Sequence, residues 1–109
     1  MQVPLKITMR HMAQSEALEA AIRSKATKLE EFHPNVTGCN VAIEEEGRHQ
    51  QQGRTFNVRL VVRVPEREVV VTRDHHEDPY VALRDAFDTA KRQLDEYDSV
   101  QRRQVKAHS

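Results

Sequence analysis

The sequence predicts an α+β fold, a two-layer sandwich in which both helices lie on one face of a four-stranded sheet. Four segments alternate apolar and polar residues, a pattern typical of strands with one buried face. Two longer segments repeat apolar residues every three or four positions, as amphipathic helices do. These segments follow one another in the order β-α-β-β-β-α, and their apolar faces are best buried against each other.

Length and composition limit the chain to one domain. Its 109 residues suit a single compact domain, and an apolar content of 38% allows one modest core. The 17 lysine and arginine residues are balanced by 17 aspartate and glutamate residues, so any basic surface must come from uneven distribution. The sequence has no apolar run long enough to cross a bilayer and no signal-peptide pattern, which predicts a cytoplasmic protein.

The first strand and the first helix are predicted near the N-terminus. Residues 5–10 place apolar side chains at alternate positions, as a half-buried strand does. The helix follows Ser15, a residue type that caps helix N-termini, and it ends near Phe32, because Pro34 disfavours helical backbone at the residue before it. Its apolar stripe consists of Leu18, Ile22, Ala26 and Leu29.

Three consecutive strands are predicted in the middle of the chain. They cover residues 36–46, 54–64 and 67–73, where apolar residues again occupy alternate positions. Between the first two of them, residues 47–54 are polar and include two bracketing glycines, which predicts a long, mobile hairpin loop.

The last helix is predicted to begin at Asp78 and Pro79, because aspartate caps helix N-termini and proline fits the first helical position. The domain is predicted to span residues 1–98 and to be followed by a basic, flexible tail over residues 99–109. The apolar seam of the helix consists of Tyr80, Leu83, Phe87, Ala90, Leu94 and Tyr97.

Few residues suggest catalysis or metal binding. His75, His76 and Asp78 are interpreted as a solvated turn, because a metal site needs three or four converging ligands. Cys39 alternates with apolar residues and is interpreted as a buried apolar group, without the setting that activates a thiol. It is the only cysteine, so no intramolecular disulfide can form. An enzyme is therefore not expected, and no cofactor or metal is implied.

The basic residues of the helices are the remaining candidates. In the first helix Arg23, Lys25 and Lys28 fall within two turns, and the two lysines are surface neighbours. They either contact successive phosphates of a nucleic acid or simply solvate the helix, and their spacing fits both readings. In the last helix each basic residue has acidic residues about one turn away, which mutes its attraction for phosphate. The predicted pairs are Arg84 with Asp88, Lys91 with Asp95, and Arg92 with Asp88 and Glu96.

Three strings taken together resemble the ribosome hibernation-promoting factors, which are also described as ribosome-associated inhibitors and sigma-54 modulation proteins. They are EALEAAIRSKATKLEEF in the first helix, the β-β-β run that follows it, and DPYVALRDAFDTAKRQL in the last helix. The likeness covers most of residues 3–97. It resembles the short form of this bacterial family, because the chain ends before the C-terminal dimerisation domain of the long form.

The resemblance implies a fold like that of a double-stranded-RNA-binding domain. It also implies binding to the small ribosomal subunit, through 16S rRNA, and to the 70S ribosome. The protein would occupy the channel of messenger and transfer RNA, and so block translation under stress without carrying out a reaction. We expect a monomer off the ribosome, with no membrane and no small-molecule substrate as partner.

The resemblance also implies an rRNA-binding site. Carried over by position, Lys25, Lys28 and Arg92 would contact phosphates, and this sequence adds Arg23, Lys91 and Arg84 as weaker candidates. Tyr80 and Leu94 match the core seam of the family.

Three positions depart from the family pattern. Thr89, Glu96 and Asp98 stand where well-studied members carry lysines. Fewer neutralised phosphates weaken RNA binding, and the basic residues of the tail are the candidates to offset the loss. The alternative is therefore a protein-interaction module that reuses the same fold with weak or no ribosome binding. The basic residues of the tail are Arg102, Arg103 and Lys106.

Overall fold

The structure is a computed structural model that describes residues 3–47 and 53–108, with side chains up to residue 100. The centre of the predicted hairpin loop, residues 48–52, lies outside the described residues. The mobility of this loop therefore stays a prediction. The element order matches the predicted β-α-β-β-β-α order. The elements are β1 (Leu5–Arg10), α1 (Glu16–Phe32), β2 (Gly38–Glu46), β3 (Thr55–Val64), β4 (Arg67–His76) and α2 (Pro79–His108).

The four strands form one sheet in the order β1-β2-β3-β4. β1 pairs with β2 in parallel, whereas β2 with β3 and β3 with β4 are antiparallel. The parallel pair follows from the connection, because α1 carries the chain back across the sheet between β1 and β2. The two antiparallel pairs need only the hairpin connections that the sequence indicates.

Both helices pack on the same face of the sheet, as predicted. α2 lies over β3 and β4, and α1 lies beside it, towards β1. The core between the layers contains alternate residues of the strands together with the apolar stripes of the helices. Its most buried large side chains are Ile22, Val41, Ile43, Val58, Leu60, Val62, Val69, Leu83 and Leu94.

Side chains cap both helices where the sequence predicts them. The Ser15 hydroxyl accepts a hydrogen bond from the Leu18 amide at 3.2 Å. The Asp78 carboxylate accepts from the amides of Tyr80 at 2.8 Å and Val81 at 3.4 Å. Each cap satisfies amides that have no partner inside the first turn of its helix, and so fixes where the helix begins.

The prediction that Tyr80 lies in the core seam is wrong, because its side chain is 44% exposed. Tyr80 lies at the edge of the buried arc of α2, and Ala82 and Ala86 are fully buried on the other side of that arc. The buried face of α2 is therefore centred nearer to these two alanines than the predicted seam, and Tyr80 is left at its margin. Leu94 is fully buried, as predicted.

Two predicted boundaries differ from the structure. β4 continues to His76, so His75 and His76 belong to a strand and not to a turn. An irregularity in the pairing of β3 with β4 lies at this end of the strand, where His75 has a φ of 57°. The backbone of α2 stays helical past residue 98 to His108. The flexibility of residues 99–109 stays a prediction.

Cys39 provides a test of the strand register. Its side chain is buried in the core, as predicted, and burial raises the pKa of the thiol to about 11, against a smaller lowering effect of Arg63. A buried, protonated thiol is a poor nucleophile, so we expect a thiol reagent to label the native protein far more slowly than the urea-denatured protein. Similar labelling rates in the two states would contradict the register assigned to β2.

Candidate nucleic-acid interface

A groove between the two helices brings three of the predicted site residues together. Lys25 and Lys28 of α1 line one wall, and Lys91 of α2 lines the other. Asp88 is the only acidic residue of the lining, so the formal charge of this groove is positive although the whole chain is neutral. The remaining lining residues are Leu29, Phe32 and Phe87.

Helix geometry explains why these lysines converge. Lys25 and Lys28 are three residues apart, so they project from the same side of α1. Both lie beside the buried stripe that contains Leu29, which turns them towards α2 instead of the sheet. Lys91 follows buried Ala90 on the side of α2 that faces α1. Its ammonium also donates to Asp95 at 3.1 Å, which is the pair predicted from the sequence.

The other three candidates lie outside the lining of the groove. Arg23 bonds Glu19, one turn earlier, at 2.9 Å. Arg84 lies 3.6 Å from Asp85 instead of pairing with Asp88, so that predicted partner is wrong.

Arg92 differs most from the sequence prediction. The pairs predicted with Asp88 and Glu96 are not formed, and its exposed guanidinium makes no ion pair within the part of the chain whose side chains are described. Lys91 and Arg92 are adjacent, so they project about 100° apart on the helix, and Arg92 is directed away from the groove. It is therefore an available cation on a separate side of α2.

A buried histidine joins the end of α1 to the middle of α2. His33 follows the last residue of α1, and its side chain is only 3% exposed. Its Nε2 lies 2.8 Å from Asp95 Oδ1, and its Nδ1 lies 2.9 Å from Asp98 Oδ2. Ionised carboxylates only accept hydrogen bonds, so both contacts are made when the ring carries a proton on each nitrogen. We call this arrangement the His33 clamp.

The His33 clamp affects the charge state of Asp95. Desolvation opposes ionisation of this carboxyl, but hydrogen bonds from Lys91 and His33 outweigh it and lower the pKa of Asp95 below its ordinary value. The carboxylate is therefore ionised at neutral pH. Because the pKa of Asp95 is lowered in the folded state, the ionised carboxylate stabilises the fold at neutral pH. This contribution to the free energy of unfolding is lost in acid, as the pH falls through the lowered pKa.

Two of the three positions that depart from the expected family pattern make contacts within the domain. Asp98 holds His33, and Thr89 accepts a hydrogen bond from Arg73 of β4. Both positions therefore serve contacts within the domain. Glu96 is exposed and is the only one of the three departing positions that is directed fully to solvent in the described structure.

Phe32 is a member of the groove that the sequence did not indicate as functional. Phe32 is 64% exposed, although it closes an otherwise amphipathic helix. The Lys91 ammonium lies 4.8 Å from the centroid of the ring, within the range of a cation–π contact. The local sequence marks Phe32 only as a helix end, because its exposure depends on how α1 meets α2.

A second polar cluster lies at the far end of the sheet. His11 lies 3.4 Å from Glu44, and His75 lies 3.1 Å from Glu46. Among the side chains that the structure describes, no group of three or more from histidine, cysteine, aspartate or glutamate is arranged to hold a metal ion. Across residues 3–47 and 53–108, no helix is long and apolar enough to cross a membrane.

Comparisons with known proteins agree with this architecture. The family described as sigma 54 modulation protein / S30EA ribosomal protein has a sequence model that matches residues 5–102. A ribosomal subunit interface protein from Coxiella burnetii superposes with a TM-score of 0.75 at 13% identity, covering 89% of this chain and 99% of its own. The Protein Y N-terminal domain from Thermus thermophilus gives a TM-score of 0.71 at 17% identity, with the same two coverages of 89% and 99%. A search of curated proteins finds no match.

Proposed function

The chain belongs to the sigma 54 modulation protein / S30EA ribosomal protein family, and from this premise we propose that it is a ribosome-associated hibernation factor. It binds 16S rRNA of the small subunit and blocks the channel of messenger and transfer RNA under stress. One structural neighbour is described as a ribosomal subunit interface protein, which supports the choice of partner. The proposed place of action is the cytoplasm.

The observation that carries the proposal is the convergence of Lys25, Lys28 and Lys91 on one groove. A neutral protein needs such a local concentration of cations to bind RNA, because each neutralised phosphate releases condensed counterions. Lysine ammonium groups on flexible stems suit this role, since phosphate contacts position a protein without reading sequence. Arg92 adds a cation on another side of α2, where it can meet a second RNA segment.

The proposed mechanism is occupancy. A rigid domain held by phosphate contacts excludes other ligands from the same space, and no proton transfer or bond cleavage is needed. The His33 clamp supports this mechanism, because it fixes the end of α1 against α2 and so keeps both walls of the groove in place. A groove whose walls are already in place needs no rearrangement of the helices when it binds, which lowers the entropic cost of binding.

The alternative function is a protein-interaction module, and the exposed acids of α2 favour it. Glu96 and Asp85 lie on the same side of the helix as Arg92, so that side is mixed in charge. Sedimentation of lysates from starved cells separates the two functions. The hibernation factor sediments with 30S or 70S particles, whereas the interaction module stays in the soluble fraction with a protein partner.

The charge of Glu96 tests whether the Arg92 side of α2 contacts RNA. Glu96 is four residues after Arg92, so its carboxylate lies near the guanidinium and repels phosphate from it. We expect Glu96→Lys to tighten binding to purified 30S subunits. The slope of the logarithm of affinity against the logarithm of salt concentration should become steeper by about one, as for one added phosphate contact. Helix stability should change little, because Glu96 is exposed and forms no ion pair with Arg92 that the substitution would break.

The matched control for this change is Glu77→Lys, which makes the same charge reversal in the loop before α2. A general effect of net charge would tighten binding equally in both variants. Unchanged or weaker 30S binding of Glu96→Lys would show that this side of α2 does not contact RNA. Asp98→Lys, which targets the next acid along α2, is unsuitable because it would also break the His33 clamp.

A further inference from the structure

Phe32 combines exposure with a cationic setting. Four large apolar residues of the described structure are well exposed, and Phe32 is the most exposed of them. It is also the only one of them that lines the groove with Lys25, Lys28 and Lys91. Exposed aromatic rings among cations are typical of surfaces that bind single-stranded nucleic acids, where rings stack on bases and cations contact phosphates.

The surroundings of Phe32 hold its ring in place. The next residue, His33, is buried and bonded through both ring nitrogens, which fixes the backbone at this point. Lys91 lies over the ring at 4.8 Å from its centroid, and Asp95 holds that ammonium in turn. Phe32 remains 64% exposed beside Lys91, so the residue still has a large open surface for a flat ligand.

We propose that Phe32 stacks on an unpaired base of a single-stranded or bulged RNA segment while Lys25 and Lys28 contact its phosphates. The inference rests on the proposed function and names the kind of RNA that the groove binds. Double-stranded RNA buries the faces of its bases within the helix and offers this ring nothing to stack on. An unpaired nucleotide offers a base and a phosphate together, which matches the ring and the cations of the groove.

The test compares Phe32→Leu, which keeps an apolar side chain but removes the ring, with Phe32→Trp, which keeps an aromatic surface. Stacking of one base on an aromatic side chain is worth about 1–3 kcal/mol, so we expect Phe32→Leu to weaken 30S binding by roughly fivefold or more. Phe32→Trp should bind at least as well as the wild type. The salt dependence should stay unchanged in both, because stacking neutralises no phosphate.

A second probe reports on the RNA itself. A single-stranded oligoribonucleotide with one 2-aminopurine is compared with its duplex form. We expect the wild type and Phe32→Trp to prefer the single strand and to quench its fluorescence, and Phe32→Leu to lose both effects. Unfolding of each variant in urea confirms that the fold is intact, as expected for an exposed position.

The outcomes separate the inference from the proposed function. If the wild type binds 30S subunits and Phe32→Leu binds equally well, the inference is overturned and the proposed function stands. Equal affinity of the wild type for single strand and duplex also overturns the inference. If the wild type binds the single strand through Phe32 but does not bind 30S subunits, the inference stands and the proposed function fails. Binding to neither RNA overturns both.

Discussion

Lys25→Ala combined with Lys28→Ala is expected to weaken binding to 30S subunits by about tenfold or more, since each charge-assisted contact with phosphate contributes roughly a kcal/mol or more. Both lysines line the groove, and both leave the buried stripe of α1 untouched. The slope of the logarithm of affinity against the logarithm of salt concentration should fall by about one for each lost contact. Equilibrium binding across a salt series measures both effects.

The fold should tolerate this double change, because alanine has the highest helix propensity and neither lysine belongs to the buried stripe of α1. The control is Lys6→Gln combined with Arg59→Gln, which removes two exposed cations from the sheet face opposite the helices. We expect this control to retain most of the affinity of the wild type. If the Lys25/Lys28 variant has the affinity and the salt slope of the wild type, the groove is not part of the RNA interface.

His33→Leu is expected to lower the free energy of unfolding by about 2 kcal/mol, because it removes two hydrogen bonds to charged groups, each worth roughly 1.5–3 kcal/mol. The expected loss is smaller than the sum of the two bonds, since the Asp95 and Asp98 side chains are 51% and 29% exposed and regain contact with water. Leucine fills much of the space of the ring, so little of the loss should come from a cavity. Urea unfolding at neutral pH measures the change.

The control for the clamp is His11→Leu, which removes an exposed histidine that also lies near a carboxylate, at 3.4 Å. A surface substitution of this kind should change stability by no more than about 0.5 kcal/mol. In a double-mutant cycle, Asp98→Ala should destabilise the wild type but have less effect in the His33→Leu background. Equal stability of His33→Leu and the wild type would mean that the clamp does not hold the helices together.

The parts of the fold that sequence predicted are those fixed by local chemistry. Alternation along the strands placed Cys39 in the core, and the residue types at Ser15 and Asp78 placed the two helix starts. The resemblance to a known family added the choice of Lys25 and Lys28. Each of these inferences needs only neighbouring residues or a recognisable string.

The parts that sequence did not predict depend on contacts between distant segments. His33 meets Asp95 and Asp98 across 62 and 65 residues, and no local pattern marks such a contact. The exposure of Phe32 likewise depends on how the end of α1 meets α2. Arg84 illustrates a different limit, because exposed side chains choose among several nearby acids and spacing does not decide which.

Contacts within the domain change how two of the departures from the family pattern are understood. Asp98 and Thr89 looked like losses of RNA-binding lysines, but each makes a contact that holds α2 against another element. These two positions therefore carry no cation and instead hold α2 against β4 and against the end of α1. We infer that the groove, and not this part of α2, carries most of the proposed affinity for RNA.

Equilibrium binding of the purified protein to separated 30S and 50S subunits, across a salt series, tests the central claim most directly. The proposal predicts saturable binding to 30S subunits that weakens steeply with salt, and much weaker binding to 50S subunits, because only the small subunit offers the proposed site. No binding to 30S subunits at low salt, or equal affinity for both subunits, would contradict it.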